Sequence, residues 1–364
     1  ITVTDTAGNA VTMNMSSFFV CCVQMGGSLQ GVELSLTDTK VVETLAGTGS
    51  SGYKDNSTGT LAKFKQPFDI TTDGTNLYVA DTKNFTIRQI VISTGAVTTL
   101  AGTAGSFGKI DNSTGTGASF KNPKGITTDG TNLYVADQSN HRIRQIVIST
   151  GAVTTLAGSS AGYSDNTTGT LAKFSSPCGI TTDGTNVYVA DTFNYRIRQI
   201  VISTGAVTTL AGTGSAGSAD NDNGSLASFD RPYGITTDGT NLFVADSFND
   251  KIRKIVIETR VVTTLAGGGS GTDTDGTGST ASFNGAFGIT TDGTNLYVAD
   301  RDNNKIRKIG IDNRSVTTLA GTGTGGRANG AGSDATFRQP AGITTDGKDL
   351  YVIEQGNHLI RKID

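Results

Sequence analysis

A six-fold internal repeat constrains this 364-residue chain more than any other feature. The segment Gly-Ile-Thr-Thr-Asp-Gly recurs every 54 to 56 residues, and Asp69 replaces its first glycine in the first copy. The other five copies begin at Gly125, Gly179, Gly234, Gly288 and Gly342. Each unit predicts four short strands joined by turns, which in the first unit cover residues 70–73, 77–80, 87–92 and 97–101. The repeat therefore predicts six small antiparallel sheets.

The second strand of each unit is apolar on both faces. Residues 77–80 read Leu-Tyr-Val-Ala, and a sheet with two apolar faces has to be stacked between neighbours. Six such sheets around an axis make an all-β fold, a six-bladed β-propeller of four-stranded antiparallel blades. The sixth unit stops at its third strand, 360–363, so we predict that residues 40–46 supply its fourth strand and close the ring. The predicted propeller is 40–364, preceded by a β-forming extension, 1–39.

Composition and charge exclude several classes of protein. With 49 glycines, no tryptophan and no long amphipathic segment, the chain is not all-helical. The net charge of −3 gives no overall field that would attract nucleic acid, and the longest apolar run, 18–23, is far shorter than the roughly 20 residues of a membrane span. The sequence begins at Ile1 without an initiator methionine or signal peptide, from which we expect that an upstream piece was removed and that the protein is extracellular or on the cell surface.

The motifs inside each unit resemble those of a known family. Before the first strand stands Ala-x-Phe-x-x-Pro, for example at 62–67, and the second strand is followed by a segment such as Asn357-His358-Leu359-Ile360-Arg361. Six consecutive matches over residues 40–364 resemble the NHL-repeat β-propellers. The resemblance implies the fold, and it implies several roles, since members of that family serve as protein-binding platforms, RNA-binding modules, surface proteins and, in a few cases, lyases or hydrolases.

Residues that recur in all six units are predicted to serve the blade itself, because one ligand would break the symmetry. An acid after the second strand, an asparagine three residues later and an arginine in the third strand form the recurrent set. We expect the acids and asparagines to cap turns and the arginines to pair with the acids. The arginines are Arg88, Arg144, Arg198, Arg253, Arg307 and Arg361.

Residues that vary between units mark the candidate binding surface. The position after the proline slot and the positions before and after the recurrent asparagine carry a concentration of aromatic side chains. These positions are predicted to lie on one rim, beside the central channel, where they form a recognition surface or else plug the channel. The candidate ligand-binding or partner-binding residues are Phe68, Lys124, Tyr233, Phe287, Phe193, Tyr195 and Phe248.

Catalysis and cofactors find little support in the sequence. His141 and His358 are the only histidines and occupy one repeat position, so neither a three-histidine metal site nor a Ser-His-Asp grouping can be assembled, and we expect no catalytic residue, no metal and no cofactor. Cys178 has no signalled histidine partner, and a buried thiol is its commoner fate. Asp220 and Asp273 begin loops that weakly resemble calcium-binding loops but lack the closing glutamate.

The extension 1–39 does not match the repeat. Residues 1–12 read as two strand fragments, and a stand-alone unit of about 40 residues cannot bury a core. The apolar side chains Phe18, Phe19, Val20 and Val23 should therefore pack on the propeller or on another subunit, where repeated head-to-tail contact would build a homopolymeric fibre.

Two classes of function remain open. The favoured one is a non-enzymatic extracellular propeller that acts as scaffold or binding module for a protein partner or for copies of itself. The alternative is a secreted propeller enzyme, of lyase or hydrolase type, with its site on the aromatic rim. Nucleic acid is not an expected partner, because Lys83, Lys124, Arg301 and Lys305 are offset by neighbouring acids.

Overall fold

The computed structural model describes residues 2–4, 10–12, 40–268 and 273–364. Between Val42 and Ile363 its strands form six antiparallel sheets that follow one another around a central axis. The predicted all-β six-bladed propeller is therefore confirmed, and the strand bounds differ from the expected ones by about one residue at several ends. The helical segments of the described residues are single turns of 3-10 helix, and none is long and apolar enough to cross a membrane.

Five blades are made from consecutive strands, ordered from the channel outward. Blade one comprises β4 (Asp69–Thr72), β5 (Asn76–Asp81), β6 (Thr86–Val91) and β7 (Val97–Ala101). Blade two comprises β8 (Pro123–Thr128), β9 (Asn132–Asp137), β10 (Arg142–Val147) and β11 (Val153–Ala157). Blade three comprises β12 (Ile180–Thr182), β13 (Asn186–Asp191), β14 (Arg196–Val201) and β15 (Val207–Ala211). Blade four comprises β16 (Pro232–Thr237), β17 (Asn241–Asp246), β18 (Lys251–Val256) and β19 (Val262–Ala266).

Blade five departs from the predicted four strands. It contains β21 (Ala286–Thr291), β22 (Asn295–Asp300), β23 (Lys305–Gly310) and β24 (Ser315–Ala320), with the two-residue β20 (Gly276–Thr277) added outside β24. β20 belongs to the connection that enters the blade. In other blades the same connection makes only an isolated bridge to the outer strand, as between Asn56 and Val97. The fifth strand is therefore a longer version of a contact that recurs around the ring.

Blade six joins the two ends of the propeller. Its strands are β25 (Pro340–Thr345), β26 (Leu350–Glu354) and β27 (Leu359–Ile363), and its outermost strand is β3 (Val42–Ala46). β3 pairs with β27 in an antiparallel register that places Val42 opposite Ile363 and Ala46 opposite Ile360. The predicted closure of the ring is confirmed. Ahead of the propeller, β1 (Thr2–Thr4) pairs with β2 (Ala10–Thr12), as the two expected strand fragments.

The connections give the propeller two different faces. Asp-Gly turns, such as Asp73-Gly74, join the first and second strands at one end of the sheets, which we call the turn face. The loops between the second and third strands lie at the opposite end, the loop face, and the long connections between blades begin and end there. Every candidate binding residue of the propeller is placed on the loop face by this topology.

The core lies between neighbouring blades. In each unit, the phenylalanine that stands three residues before the proline, or in blade five three residues before Ala286, is buried without exposed surface. The six are Phe64, Phe120, Phe174, Phe229, Phe283 and Phe337. Each hydrophobic cluster combines side chains of two successive blades, so burial holds the ring together as well as each blade.

Candidate binding face

A buried arginine organises each blade, as the sequence analysis predicted. In blades one to five its Nη1 donates to the acid that ends the second strand, at 2.7 to 3.0 Å, and in blade six Arg361 pairs in the same way with Glu354. The Nη2 of Arg88 also binds Asp55 from the connection that enters blade one. Asn84 donates to the same Oδ2 of Asp81 that binds Arg88, and Lys65 N donates to Oδ1, so both oxygens of the acid are engaged. We call the six arginines and their acids the arginine belt.

The belt carboxylates are buried, and the blade replaces their contacts with water. Burial raises the pKa of Asp81, Asp137 and Asp246 to about 6, although the paired arginine and the hydrogen bonds to each carboxylate pull it down. At neutral pH these acids remain ionised, and their oxygens are occupied by the blade. The oxygens of these carboxylates are therefore not available to bind a ligand.

The two histidines are structural acceptors between blades. Residues in the histidine position adopt a left-handed backbone, with φ of 56° at His141 and 58° at His358. The Nδ1 of His141 accepts the backbone N–H of Ser176 at 3.0 Å, and that of His358 accepts the N–H of Gln66 at 3.1 Å. In blades four and five, Asp250 and Asn304 accept the equivalent N–H of the following blade, whereas Phe85 and Tyr195 make no such bond among the described residues.

An aromatic cluster covers the channel at the loop face. The rings of Tyr233 and Phe287 are stacked with centroids 4.5 Å apart, and Phe68 lies 6.0 Å from Phe287 and 6.3 Å from Tyr233. Lys124 places Nζ 4.2 Å from the centre of the Phe68 ring, and Arg301 places Cζ 4.8 Å from that of Phe287. Four of the seven candidate residues thus meet at one point, with Phe68 only 8% exposed.

A second aromatic pair lies farther out on blades three and four. Phe193 and Phe248 are 44% and 53% exposed, and the guanidinium of Arg231 lies over both rings, at 5.5 and 4.3 Å. Burial raises the pKa of the Tyr233 hydroxyl to about 12, and the charges of Arg231 and Arg301 oppose that rise. We call the surface formed by Phe193, Arg231, Tyr233, Phe248, Phe287 and Arg301 the aromatic band. Tyr195 joins neither ring group in the part of the chain that the structure describes.

The glycine that opens the repeat segment is required by close packing around the channel. A Cβ at Gly179 would lie 2.0 Å from the carbonyl oxygen of Tyr233 in the next blade, and one at Gly234 would lie 1.9 Å from that of Phe287. Asp69 is the exception, and its Oδ2 accepts the N–H of Ile126 at 3.1 Å. It lines a channel cavity of about 30 Å³ beneath the aromatic cluster. Burial raises the pKa of Asp69 to about 7, against the lowering effect of hydrogen bonds from Ile126 and its neighbour Ile70.

A polar groove on the loop face was not predicted from the sequence. It has a volume of about 450 Å³ and lies over blade six, reaching blades five and one. Its lining residues are Gln66, Arg301, Arg338, Gln339, Gln355, Gly356 and His358. The signal was present in the sequence, because the position before the recurrent asparagine carries a side chain in five units and Gly356 in the sixth. A Cβ at Gly356 would lie 2.8 Å from Cγ of Arg338, so the glycine leaves room for that arginine.

The remaining candidate residues either have structural roles or lie outside the residues that the structure describes. Cys178 is buried, and burial raises the pKa of its thiol. Asp220 binds Arg253 and Asp273 binds Lys305, so both acids are used in ion pairs. No group of three or more His, Cys, Asp or Glu side chains with metal-binding geometry occurs in the described residues. Phe18, Phe19, Val20 and Val23, proposed for assembly, lie outside the described residues.

Comparisons with known proteins place this architecture among NHL-repeat proteins. A 267-residue stretch is 31% identical to protein SUPPRESSOR OF QUENCHING 1, chloroplastic, of Arabidopsis thaliana and covers 68% of this chain and 25% of that protein. NHL repeat-containing protein 2 of Homo sapiens is 29% identical over 285 residues, or 68% of this chain and 39% of the relative. The chain thus spans less than half the length of these relatives. No family model matches the chain.

Solved structures share the shape at low identity. An auxiliary nutrient binding protein of Bacteroides thetaiotaomicron superposes with a TM-score of 0.66 and 17% identity, over 89% of this chain and 76% of the other. A gluconolactonase of Xanthomonas campestris has a TM-score of 0.55 and 10% identity, over 94% and 98% of the two chains. Because a binding protein and an enzyme both share the shape, these likenesses establish the fold alone.

Proposed function

The chain belongs to the NHL-repeat β-propellers, and on that premise we propose that it is a binding module without catalytic activity. Its ligand or partner binds across the aromatic band and the neighbouring groove of the loop face. A binding or scaffold role agrees with the nutrient binding protein that shares its shape. The further proposals, an extracellular location and self-assembly through residues 1–39, rest on the sequence alone.

One observation carries the proposal, namely that recurrent and variable residues have different partners. The recurrent acids and arginines are consumed by bonds within the arginine belt. The variable residues of the loop face instead expose aromatic rings and cations, of which Phe193 and Phe248 are about half exposed. Aromatic side chains, phenylalanine included, and arginine are enriched in protein interfaces relative to the rest of the surface. The band therefore provides recognition chemistry that the fold does not need.

The same residues argue against an enzyme. Each histidine uses Nδ1 to accept a backbone N–H, and Cys178 is enclosed with a raised thiol pKa. The titratable group of the channel, Asp69, lies beneath the aromatic cluster in a cavity with room for only one or two water molecules. A general acid or base needs to approach its substrate within hydrogen-bonding distance. We therefore expect that ligands leave the loop face chemically unchanged.

The test is a binding and turnover assay on a defined panel of neutral oligosaccharides, acidic oligosaccharides and aromatic peptides, followed by saturation-transfer NMR. We expect at least one member to bind, and the double substitution Phe193→Ala/Phe248→Ala to weaken it by about tenfold or more. Leu171 and Leu226 are exposed apolar residues of the connections between blades, so Leu171→Ala/Leu226→Ala removes similar surface away from the band and should leave affinity unchanged.

Two results would contradict the proposal. The first is a panel in which no binding responds to the Phe193 and Phe248 substitutions. The second is the appearance of product resonances in the same samples, which would favour the enzymatic alternative. Self-assembly is tested separately by light scattering and electron microscopy of the full chain and of a chain that begins at Lys40. Fibres that disappear in the shorter chain support assembly through residues 1–39, and monodisperse single propellers in both contradict it.

A further inference from the structure

The polar groove over blade six breaks the symmetry of the ring in its charge and its hydrogen-bonding capacity. The guanidinium of Arg338 has no hydrogen-bond or ion-pair partner in the described residues, and this side chain is exposed. Arg301 is already engaged, because its Nη1 donates to Asp302 at 2.9 Å and its Nη2 lies 3.4 Å from Oε1 of Gln355. An unpaired arginine beside a paired one gives the groove one uncompensated positive charge.

The histidine of the groove adds a donor without adding charge. Nδ1 of His358 accepts the N–H of Gln66, so the neutral ring carries its proton on Nε2. Burial lowers the pKa of His358, which keeps the ring neutral at pH 7. The charge of the groove therefore matches a monoanion better than a dianion.

Amide side chains supply the rest of the lining. The carboxamides of Gln66 and Gln339 make no hydrogen bond to other described residues, and each offers two donors and an acceptor. The groove is held in shape by backbone bonds, since Gln355 N donates to the carbonyl of Gln339 and Gly356 N to that of Arg338. A preformed lining of free amides suits a ligand that carries several hydroxyl groups.

We infer that this groove binds a carboxylated sugar, that is, a hexuronate residue of an acidic glycan. The carboxylate pairs with Arg338 in a bidentate manner, with Arg301 next to it, and the hydroxyl groups bind the glutamine amides. A volume of about 450 Å³ accommodates a sugar ring within the range typical of ligand sites. Arg301 also stacks on Phe287, so the next sugar of the chain would reach the aromatic band. The inference rests on the proposed function and names its ligand.

The test compares two disaccharides by isothermal titration calorimetry: α-1,4-digalacturonate and galabiose, its neutral counterpart with hydroxymethyl groups in place of the carboxylates. We expect digalacturonate to bind about tenfold more tightly or better, as a charge-assisted pair implies. Arg338→Gln should remove that preference by lowering digalacturonate affinity to that of galabiose. Arg327→Gln, the same change at an exposed arginine outside the groove on the same connection, should retain it.

Three outcomes overturn the inference. One is equal affinity for the two disaccharides, another is a digalacturonate affinity that Arg338→Gln does not lower, and the third is displacement of digalacturonate by inorganic phosphate at similar concentration, which would indicate a general anion site. Binding of galabiose or of an aromatic peptide that depends on Phe193 and Phe248 would still support the proposed function, so the two failures can be told apart.

Discussion

The arginine belt and the loop-face mouth of the channel are built from the same repeat and use it in opposite ways. In the belt, Arg198 repeats the contacts of Arg88 with a different acid in each blade, and both guanidiniums are buried. At the mouth, equivalent positions hold a phenylalanine in one blade, a lysine in another and an alanine in a third. Uniformity in the belt and variety at the mouth separate the residues that stabilise blades from those that contact a ligand.

The difference shows that, in a repeat protein, the type of a polar residue does not by itself indicate a functional site. Asp81 has a strongly perturbed pKa, which elsewhere would mark a functional site, yet its bonds recur in every blade and satisfy it fully. The guanidinium of Arg338 has no partner among the described residues, and it lies where the repeat is broken by Gly356. A departure from the repeat is therefore a better indicator of a functional site than a perturbed pKa.

Opening the ring should have the largest effect on stability, and it tests the structural role of the residues that repeat in every blade. Removing residues 1–46 deletes β3, leaves β27 as an open edge and exposes surface that Val42 covers. We expect the free energy of unfolding to fall by about 5 kcal/mol, from one buried valine and several backbone hydrogen bonds. Chemical denaturation measures it. Removal of residues 1–39 alone leaves β3 in place, and an equal loss in that variant would show that closure is not the cause.

A single belt arginine should come next in size. Arg198→Met leaves the Asp191 carboxylate buried without its cation, and breaking such a pair costs about 3 to 5 kcal/mol. Gln199→Met, at the adjacent partly buried position of β14, is the matched control and should cost little. Adding Asp191→Asn to Arg198→Met removes the stranded charge and should recover part of the loss. If ligand affinity fell together with stability in Arg198→Met, the separation of belt from mouth would be wrong.

The sequence predicted the belt better than the mouth for a physical reason. The two apolar faces of the strand at 77–80, the Asp-Gly turns and the spacing of Arg and Asp are local patterns, so six copies of them predicted the blades and their pairing. The missing fourth strand of the sixth unit predicted the closure by β3. The groove depends on which loops of different blades meet across the face. Gln66 and Arg301 are 235 positions apart, and only the closed ring brings them to one site. Gly356 was visible in the sequence, but its effect on Arg338 required the fold.

The pH dependence of stability tests the buried environment of Asp69 in the channel beneath the mouth. Its pKa is raised in the folded protein, so the neutral carboxyl is favoured there, and its contribution to stability is present below pH 4 and lost as the pH rises through 7. Asp69→Asn stays neutral and keeps an oxygen that can accept the Ile126 N–H. We expect the two proteins to be equally stable near pH 4 and the variant to gain about 4 kcal/mol by pH 8, because burial raises the pKa of Asp69 from 3.8 to about 7. Thermal unfolding across that range checks the sign, and a gain largest at low pH would refute it.

The histidines share features of the belt and of the mouth, because their position recurs in every unit while the residue in it varies. We expect their substitution to have the smallest effect on stability. Burial, assisted at His141 by the charge of Lys121, lowers the pKa of both rings in the folded protein. Their stabilising bonds are therefore present above the unfolded pKa of about 6.5 and are lost as the pH falls through the lowered folded values. Protonation places a proton on Nδ1, where it opposes the N–H of Ser176 or Gln66 and costs about 1 kcal/mol per bond.

Asparagine is the natural replacement, since Asn304 makes the same bond to Gln339 in blade five and does not titrate. His141→Asn/His358→Asn should match the original protein in stability at pH 8 and exceed it at pH 5, by an amount that grows as the pH falls below about 6.5. The difference between the two unfolding profiles isolates the histidines from Asp69 and the belt acids, whose raised pKa values act in the opposite direction and are common to both proteins. Parallel profiles would mean that the imidazoles merely fill space, and that the position belongs wholly to the packing of the blades.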